Sequence, residues 1–173
     1  MRIKSRIAIT GRPGVGKTTL IERVLSRLPV SFGGMITKEI RKCGRRVGFA
    51  VIDVATGEEG ILAHLHLQRG PKLGRYTVNL KDLEGIGINA IARAIEGKKL
   101  VVIDELGPME LSSPLFIPAV ERALKSDRSL IISTHAYLDH PLAHRVRREL
   151  HLFRVKLGNR DALVGEILAE FKK

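Results

Sequence analysis

A chain of 173 residues, 44% of them hydrophobic, is long enough to bury one sizeable core and is most simply a single domain. It holds no apolar run of membrane-spanning length, and its lone Cys43 excludes an intramolecular disulfide and a cysteine-built metal site. The formal net charge of +12 admits nucleic acid, anionic membrane or polyphosphate partners, but 4% aromatic content and no Trp leave few stacking platforms for single strands.

The first predicted element is an apolar strand over 5–10, with no signal peptide within 1–30. It runs at once into Gly11-Arg12-Pro13-Gly14-Val15-Gly16-Lys17-Thr18-Thr19. Leu20, Ile21, Val24, Leu25 and Leu28 then recur at helical spacing until Pro29. A strand, Gly-x-x-x-x-Gly-Lys-Thr and a helix, in that order, make a phosphate-binding loop. Glycine at 11, 14 and 16 lets the main chain bend and bring its N–H groups to phosphate oxygens, helped by the positive end of the helix. In this pattern Lys17 neutralises the β- and γ-phosphates, the Thr18 hydroxyl binds Mg²⁺, and Thr19 reaches toward the α-phosphate.

Beyond Pro29, strands are predicted over 33–40, 47–54 and 61–67, with a short one near 76–78. The turns between them, over 42–45 and 56–60, are too short for crossovers. This β-meander, about 33–80, interrupts the alternation of strand and helix, with 70–74 as a loop. Cys43 reads as an incidental thiol in its first turn. Ile88, Ile91, Ala92 and Ile95 form a helical stripe that Gly97 should end as a C-cap. Leu100-Val101-Val102-Ile103-Asp104-Glu105 is a buried strand closed by two acids, followed by Leu106 and Gly107. Leu115, Phe116, Ala119, Val120, Ala123 and Leu124 give a helical face, and Pro118 predicts an altered first turn or a start near itself. A strand over 129–134, a polar helix over 139–150, a strand over 152–157 and a helix capped by Asp161 and running to Phe171 complete the chain. The whole predicts an α/β fold: a mainly parallel sheet with helices on both faces, ligands meeting the carboxyl ends of its strands. Thr10, Asp104 and Thr134 should share that rim.

Residues 100–107 have the form of a Walker B strand. Asp104 is placed to hold Mg²⁺ opposite Thr18, and Glu105 to orient the attacking water. Lys17 and Glu105 are therefore the candidate catalytic residues, and Thr18 and Asp104 the candidate metal ligands. Residues Gly11 to Thr19 and Leu100 to Gly107 are the candidate nucleotide-binding segments. Thr134-His135 reads equally as a γ-phosphate sensor or as a polar strand end. The pairs His64/His66 and His140/His144 lack a third ligand nearby and read as exposed. Arg12, Arg45, Arg147, Arg148 and Arg160 are the candidates for a transition-state cation. No Asn-Lys-x-Asp guanine motif is present. The readings that remain are a cytoplasmic Mg²⁺-dependent triphosphate hydrolase, favoured as a monomer, a nucleotide or polynucleotide kinase, and a nucleic-acid-binding nucleotide switch.

Several blocks carry a nearly end-to-end resemblance. They are 11–19, Gly33-Gly34-Met35-Ile36-Thr37 with Glu39, 44–49, Gly74-Arg75-Tyr76-Thr77-Val78-Asn79, 102–111 and Asn159-Arg160-Asp161. In these the chain resembles the small nucleoside-triphosphatases of thermophiles, the cancer-related nucleoside-triphosphatase family. The resemblance implies a RecA-like P-loop fold and slow, Mg²⁺-dependent hydrolysis of ATP, GTP, CTP, UTP and TTP to the diphosphate and phosphate. Pro108 stands where members usually carry Lys, which removes a lysine contact to phosphate from that position.

Overall fold

A computed structural model describes residues 4–173. Nine strands form one sheet in the order β5-β6-β4-β3-β2-β7-β8-β1-β9. They are β1 (Arg6–Gly11), β2 (Phe32–Lys42), β3 (Arg45–Asp53), β4 (Glu59–His64), β5 (Lys72–Leu73), β6 (Tyr76–Val78), β7 (Leu100–Leu106), β8 (Ser129–His135) and β9 (His151–Arg154). From β2 through β7, β8 and β1 to β9 every pairing is parallel. From β2 through β3, β4 and β6 to β5 every pairing is antiparallel. The meander thus lengthens the main sheet, with β2 shared between the two halves.

Alternation along the strands sorts side chains into two cores. Ile7 and Ile9 of β1 join Leu100, Val102 and Ile131 under α1 (Lys17–Leu25) and α6 (Arg160–Glu170). Ala8, Val101, Ile103 and Ile132 face the other way, onto α3 (Asn89–Gly97), α4 (Phe116–Lys125) and α5 (Pro141–Glu149). The predicted parallel sheet with helices on both faces and an antiparallel β-meander is what is found; with four parallel and four antiparallel pairings the nine-stranded sheet is mixed.

The differences from expectation are local. A continuous helical stretch begins at Leu80, as α2 (Leu80–Asp82) and a π-helical segment (Leu83–Ile88) leading into α3. Asn79 starts it by accepting the Asp82 N–H, and the π spacing hides the segment from a 3.6-residue pattern. Gly87 is needed there because a β-carbon would lie 2.9 Å from Val51 Cγ2 and 3.1 Å from Met35 Sδ. Gly97 is the last helical residue and not the cap; Lys98 leaves in extended conformation. Pro118 sits in the first turn of α4, where no intrahelical donor is lost, and Leu115 is exposed just before it. Residues 72–73, read as loop, make a short strand. The last strand stops at Arg154, leaving Leu157 exposed. Asn159 precedes α6 at the cap position, and Asp161 instead lies in the first turn, paired with Arg23.

Candidate active site

The loop between β1 and α1 turns on two left-handed glycines, Gly14 (φ 75°) and Gly16 (φ 102°). Gly16 is the N-cap of α1 and supplies no capping side chain, so the first-turn N–H groups face outward as an anion site. The Lys17 ammonium is buried. It donates to the carbonyl oxygens of Gly11 (2.9 Å) and Arg12 (3.3 Å) and pairs with Glu105 Oε2 at 3.2 Å.

Asp104 arrives from β7, two strands away from β1. Its Oδ2 accepts from the Thr18 hydroxyl and its Oδ1 from the Ser133 hydroxyl, both at 2.5 Å. Burial raises its pKa from the usual carboxylate range to about 6; the two hydroxyls and Lys17 oppose that shift, and the Glu105 charge adds to it. The β7–β8 register slips between Ile103 and Leu106, and the Asp104–Glu105 peptide is cis. Glu105 stands partly exposed at this break.

These residues share one cavity of about 680 Å³ with Pro13, Gly14, Gly16, Thr19 and His135. The His135 pKa is lowered by burial and by the Lys17 charge. Its neighbour Thr134 is fully buried, and the Thr134 hydroxyl is one of two buried side-chain polar atoms without a partner among the described residues. Thr10, Asp104 and Thr134 do meet at one rim, since Thr10 pairs with Thr134 in register and its hydroxyl donates to the Thr134 carbonyl oxygen at 3.4 Å.

Not every predicted residue reaches the cavity. Leu100, Val101, Val102, Ile103 and Leu106 are fully buried. Their apolar side chains belong to the two cores, and the strand they form carries Asp104 to the rim. Gly107 lies beneath the carboxylates of Glu105 and Glu110. Val15 packs against the α1 core. Gly11 and Arg12 border a second cavity of about 670 Å³, with Tyr137, Arg147, Arg148, Arg154 and Lys156. Of the five candidate arginines, Arg45 is exposed at the β2–β3 turn, and Arg147 is occupied with the carbonyls of His135 and Leu138. Arg160 reaches the loop itself: a β-carbon on Gly16 would collide with its guanidinium, and its Nε is the other buried atom without a partner among the described residues.

Sequence reasoning gave no role to Glu110. It is buried in the cavity wall on a short 3₁₀ turn, and burial, then the Glu105 charge, pushes its pKa well above the usual value. An acid inside the otherwise weakly polar run 106–111 was the available signal.

The donor set suits one kind of metal. Among the described residues no group of three or more His, Cys, Asp or Glu could cage an ion. Adjacent Thr18 and Asp104 oxygens instead suit Mg²⁺, which takes one or two protein oxygens and completes its shell with phosphates and water.

Comparison with known proteins follows the same line. The sequence profile of a family described as NTPase matches residues 6–168. The nucleoside-triphosphatase THEP1 of Methanosarcina acetivorans is 48% identical over 170 residues, covering 96% of each chain. The crystal structure of THEP1 from the hyperthermophile Aquifex aeolicus superimposes with a TM-score of 0.86 at 32% identity, covering 97% of this chain and 99% of that one. The solution structure of a human cancer-related nucleoside triphosphatase gives 0.77 at 33% identity, covering 95% and 96%.

Proposed function

The chain belongs to this nucleoside-triphosphatase family and is an enzyme of that class; from this premise we propose that it hydrolyses Mg²⁺-bound nucleoside 5′-triphosphates to the diphosphate and phosphate, with little regard for the base. One observation carries the reading. The Thr18 hydroxyl and the Asp104 carboxylate, 86 residues apart, meet at 2.5 Å at the start of α1, with the Lys17–Glu105 pair beside them.

The main-chain N–H groups of the loop and the N-terminus of α1 bind the phosphate oxygens. Lys17 exchanges the Gly11 and Arg12 carbonyls for β- and γ-phosphate oxygens. That exchange frees Glu105 to accept a hydrogen bond from a water aimed at the γ-phosphorus. As the new P–O bond forms, the bond to the β–γ bridging oxygen breaks, the diphosphate leaves, and the water proton passes to Glu105. Thr18 and Asp104 would hold Mg²⁺, which would supply charge neutralisation to the phosphates. His135, whose pKa is lowered by burial and by the Lys17 charge, offers a hydrogen bond to the γ-phosphate. The nucleoside lies toward the second cavity, whose cationic lining and Tyr137 grip phosphate and ring without a base-reading motif. Among the described residues no helix is long and apolar enough to cross a membrane.

The test is phosphate release from ATP, GTP, CTP, UTP and TTP with and without Mg²⁺. Wild type should release phosphate from all five only with Mg²⁺. Lys17→Ala should lose binding and release together, and Glu105→Gln should bind but not turn over. Release that survives Glu105→Gln would remove the proposed role of that residue.

A further inference from the structure

The cavity continues past Glu105. Its far half is walled by the antiparallel strands: Glu39 and Arg41 of β2, Arg46 and Phe49 of β3, and Tyr76 of β6, with Met109 opposite. Lys17, Thr18 and Asp104 mark where the terminal phosphate of a triphosphate rests. This half therefore lies beyond that phosphate, on the side away from the nucleoside, and a triphosphate on the loop leaves it free. The sequence blocks 33–39, 44–49 and 74–79, for which the loop chemistry has no use, converge here.

The chemistry of this half is specific. One carboxylate, Glu39, holds two guanidiniums, Arg41 at 2.7 Å and Arg46 at 3.1 Å, so this three-residue cluster carries one positive charge in excess, while Glu105 and Glu110 line the same cavity. Arg46 is fixed: it lies over the rings of Phe49 (5.2 Å) and Tyr76 (5.9 Å) and donates to the Tyr76 hydroxyl at 3.0 Å. Among the described residues Arg41 lies over no ring: its Nε and Nη2 hold Glu39 at 2.9 and 2.7 Å, and its Nη1 donates to the Gly44 carbonyl oxygen at 3.2 Å. Its side chain is 58% exposed, so it can turn from Glu39 to an arriving anion while Arg46 keeps Glu39 neutralised. Beside these charges, Phe49 and Tyr76 pack edge to face at 5.3 Å, and Leu73 and Met109 extend an apolar wall. The whole cavity, phosphate end included, measures about 680 Å³, and the far half is the part of it that the loop does not line.

We propose that this half of the cavity is a second ligand site for a small molecule carrying a flat aromatic ring and a phosphate monoester, the chemistry of a nucleoside 5′-monophosphate. The ring packs against Phe49, Leu73 and Met109, and Arg41 takes the phosphate. The occupant fills the space through which water reaches Glu105, so it slows triphosphate hydrolysis without displacing the triphosphate. The proposal rests on the functional reading above only for which end of the triphosphate faces the site.

The experiment is calorimetric titration of AMP, GMP, CMP and UMP into protein saturated with Mg²⁺ and the non-hydrolysable β,γ-imido analogue of ATP. Adenosine and inorganic phosphate serve as probes of ring and anion alone. The expected result is one equivalent of monophosphate bound beside the analogue, more tightly than either half-probe. Arg41→Ala should weaken it by about 10-fold or more, the scale of one charge-assisted contact, and leave analogue affinity and basal hydrolysis unchanged. Phe49→Leu should weaken monophosphate and adenosine alike and spare inorganic phosphate. Failure to bind beside the analogue, competition with it, or indifference to Arg41→Ala would each overturn the proposal. If the analogue does not bind but a monophosphate still does, in an Arg41-dependent way, the second site stands and the loop reading falls; if neither binds, both fall.

Discussion

Asp104→Asn should make the protein more stable while abolishing the proposed Mg²⁺-dependent hydrolysis. Asp104 is 1% exposed, and its pKa of about 6 stands against an ordinary 3.8. Because the folded state holds the proton more tightly than the unfolded chain, the contribution of this group to stability is full below about 3.8. It is lost as the pH rises through about 6. A gap of roughly two units costs about 3 kcal/mol at pH 8. Asn resembles the protonated acid: its carbonyl accepts from one of the Thr18 and Ser133 hydroxyls, its amide donates to the other, and no charge is buried. Asp104→Asn at pH 8, without nucleotide and in EDTA, should therefore melt higher by about 6–12 °C, taking about 2–4 °C per kcal/mol for a domain of this size. The advantage should shrink steadily toward pH 4. Scanning calorimetry of both proteins from pH 4 to 8 is the assay. A variant that melts at or below wild type at pH 8 would refute the view that this carboxylate is held at a cost to the fold.

Phe116 is fully buried in the core under α4, so Phe116→Ala should lower unfolding free energy by about 3–5 kcal/mol, read by urea titration. Asp53 is also buried, but its pKa is lowered: burial acts to raise it and is outweighed by the Arg93 hydrogen bond and the N–H groups of Ala55 and Thr56. Its stabilisation is present above the ordinary carboxylate pKa and lost as pH falls, so Arg93→Ala should move the acid-unfolding midpoint to higher pH. Gly16→Ala should reduce both stability and nucleotide affinity, through the positive φ and the collision with Arg160; thermal shifts with and without Mg·ATP separate the two. Mg²⁺ alone should shift the melting temperature by about 1 °C or less, and Mg²⁺ with ATP by several degrees, because the site has too few protein ligands to hold the ion by itself.

The loop and Asp104 were legible because each is written contiguously. A glycine pattern between strand and helix, and an acid at the end of an apolar strand, need no knowledge of distant residues. The parallel sheet was legible from strand–helix alternation for the same reason. What could not be read depends on contacts across the sequence. Ser133 looks like any strand residue until β8 pairs with β7 and sets its hydroxyl against Asp104. Arg160 is one arginine among many until α6 packs beside α1 and brings it to Gly16. Leu100 to Ile103 show the opposite limit. Neighbourhood in sequence suggested contact with nucleotide, whereas period-two alternation commits all four to the cores.

The site is built from groups that work against folding. Lys17 and Glu110 are buried ionisable residues, Asp104 is held with a raised pKa, Gly16 is left-handed, and Thr134 keeps a hydroxyl without a partner among the described residues. Hydrophobic layers on both faces of the sheet offset these costs, so the rim can carry them without loss of the fold. The same groups are those whose costs a polyanion with a divalent cation would relieve. Phosphate oxygens would replace the Glu105 and main-chain partners of Lys17, and the cation would neutralise Asp104. Ligand and fold are then thermodynamically linked at this rim, and nucleotide affinity should rise in variants that remove an unfavourable contact made only by the free protein. Glu105→Gln is the direct case: it removes the partner that competes with phosphate for Lys17, so it should bind Mg·ATP at least as tightly as wild type while hydrolysing it far more slowly.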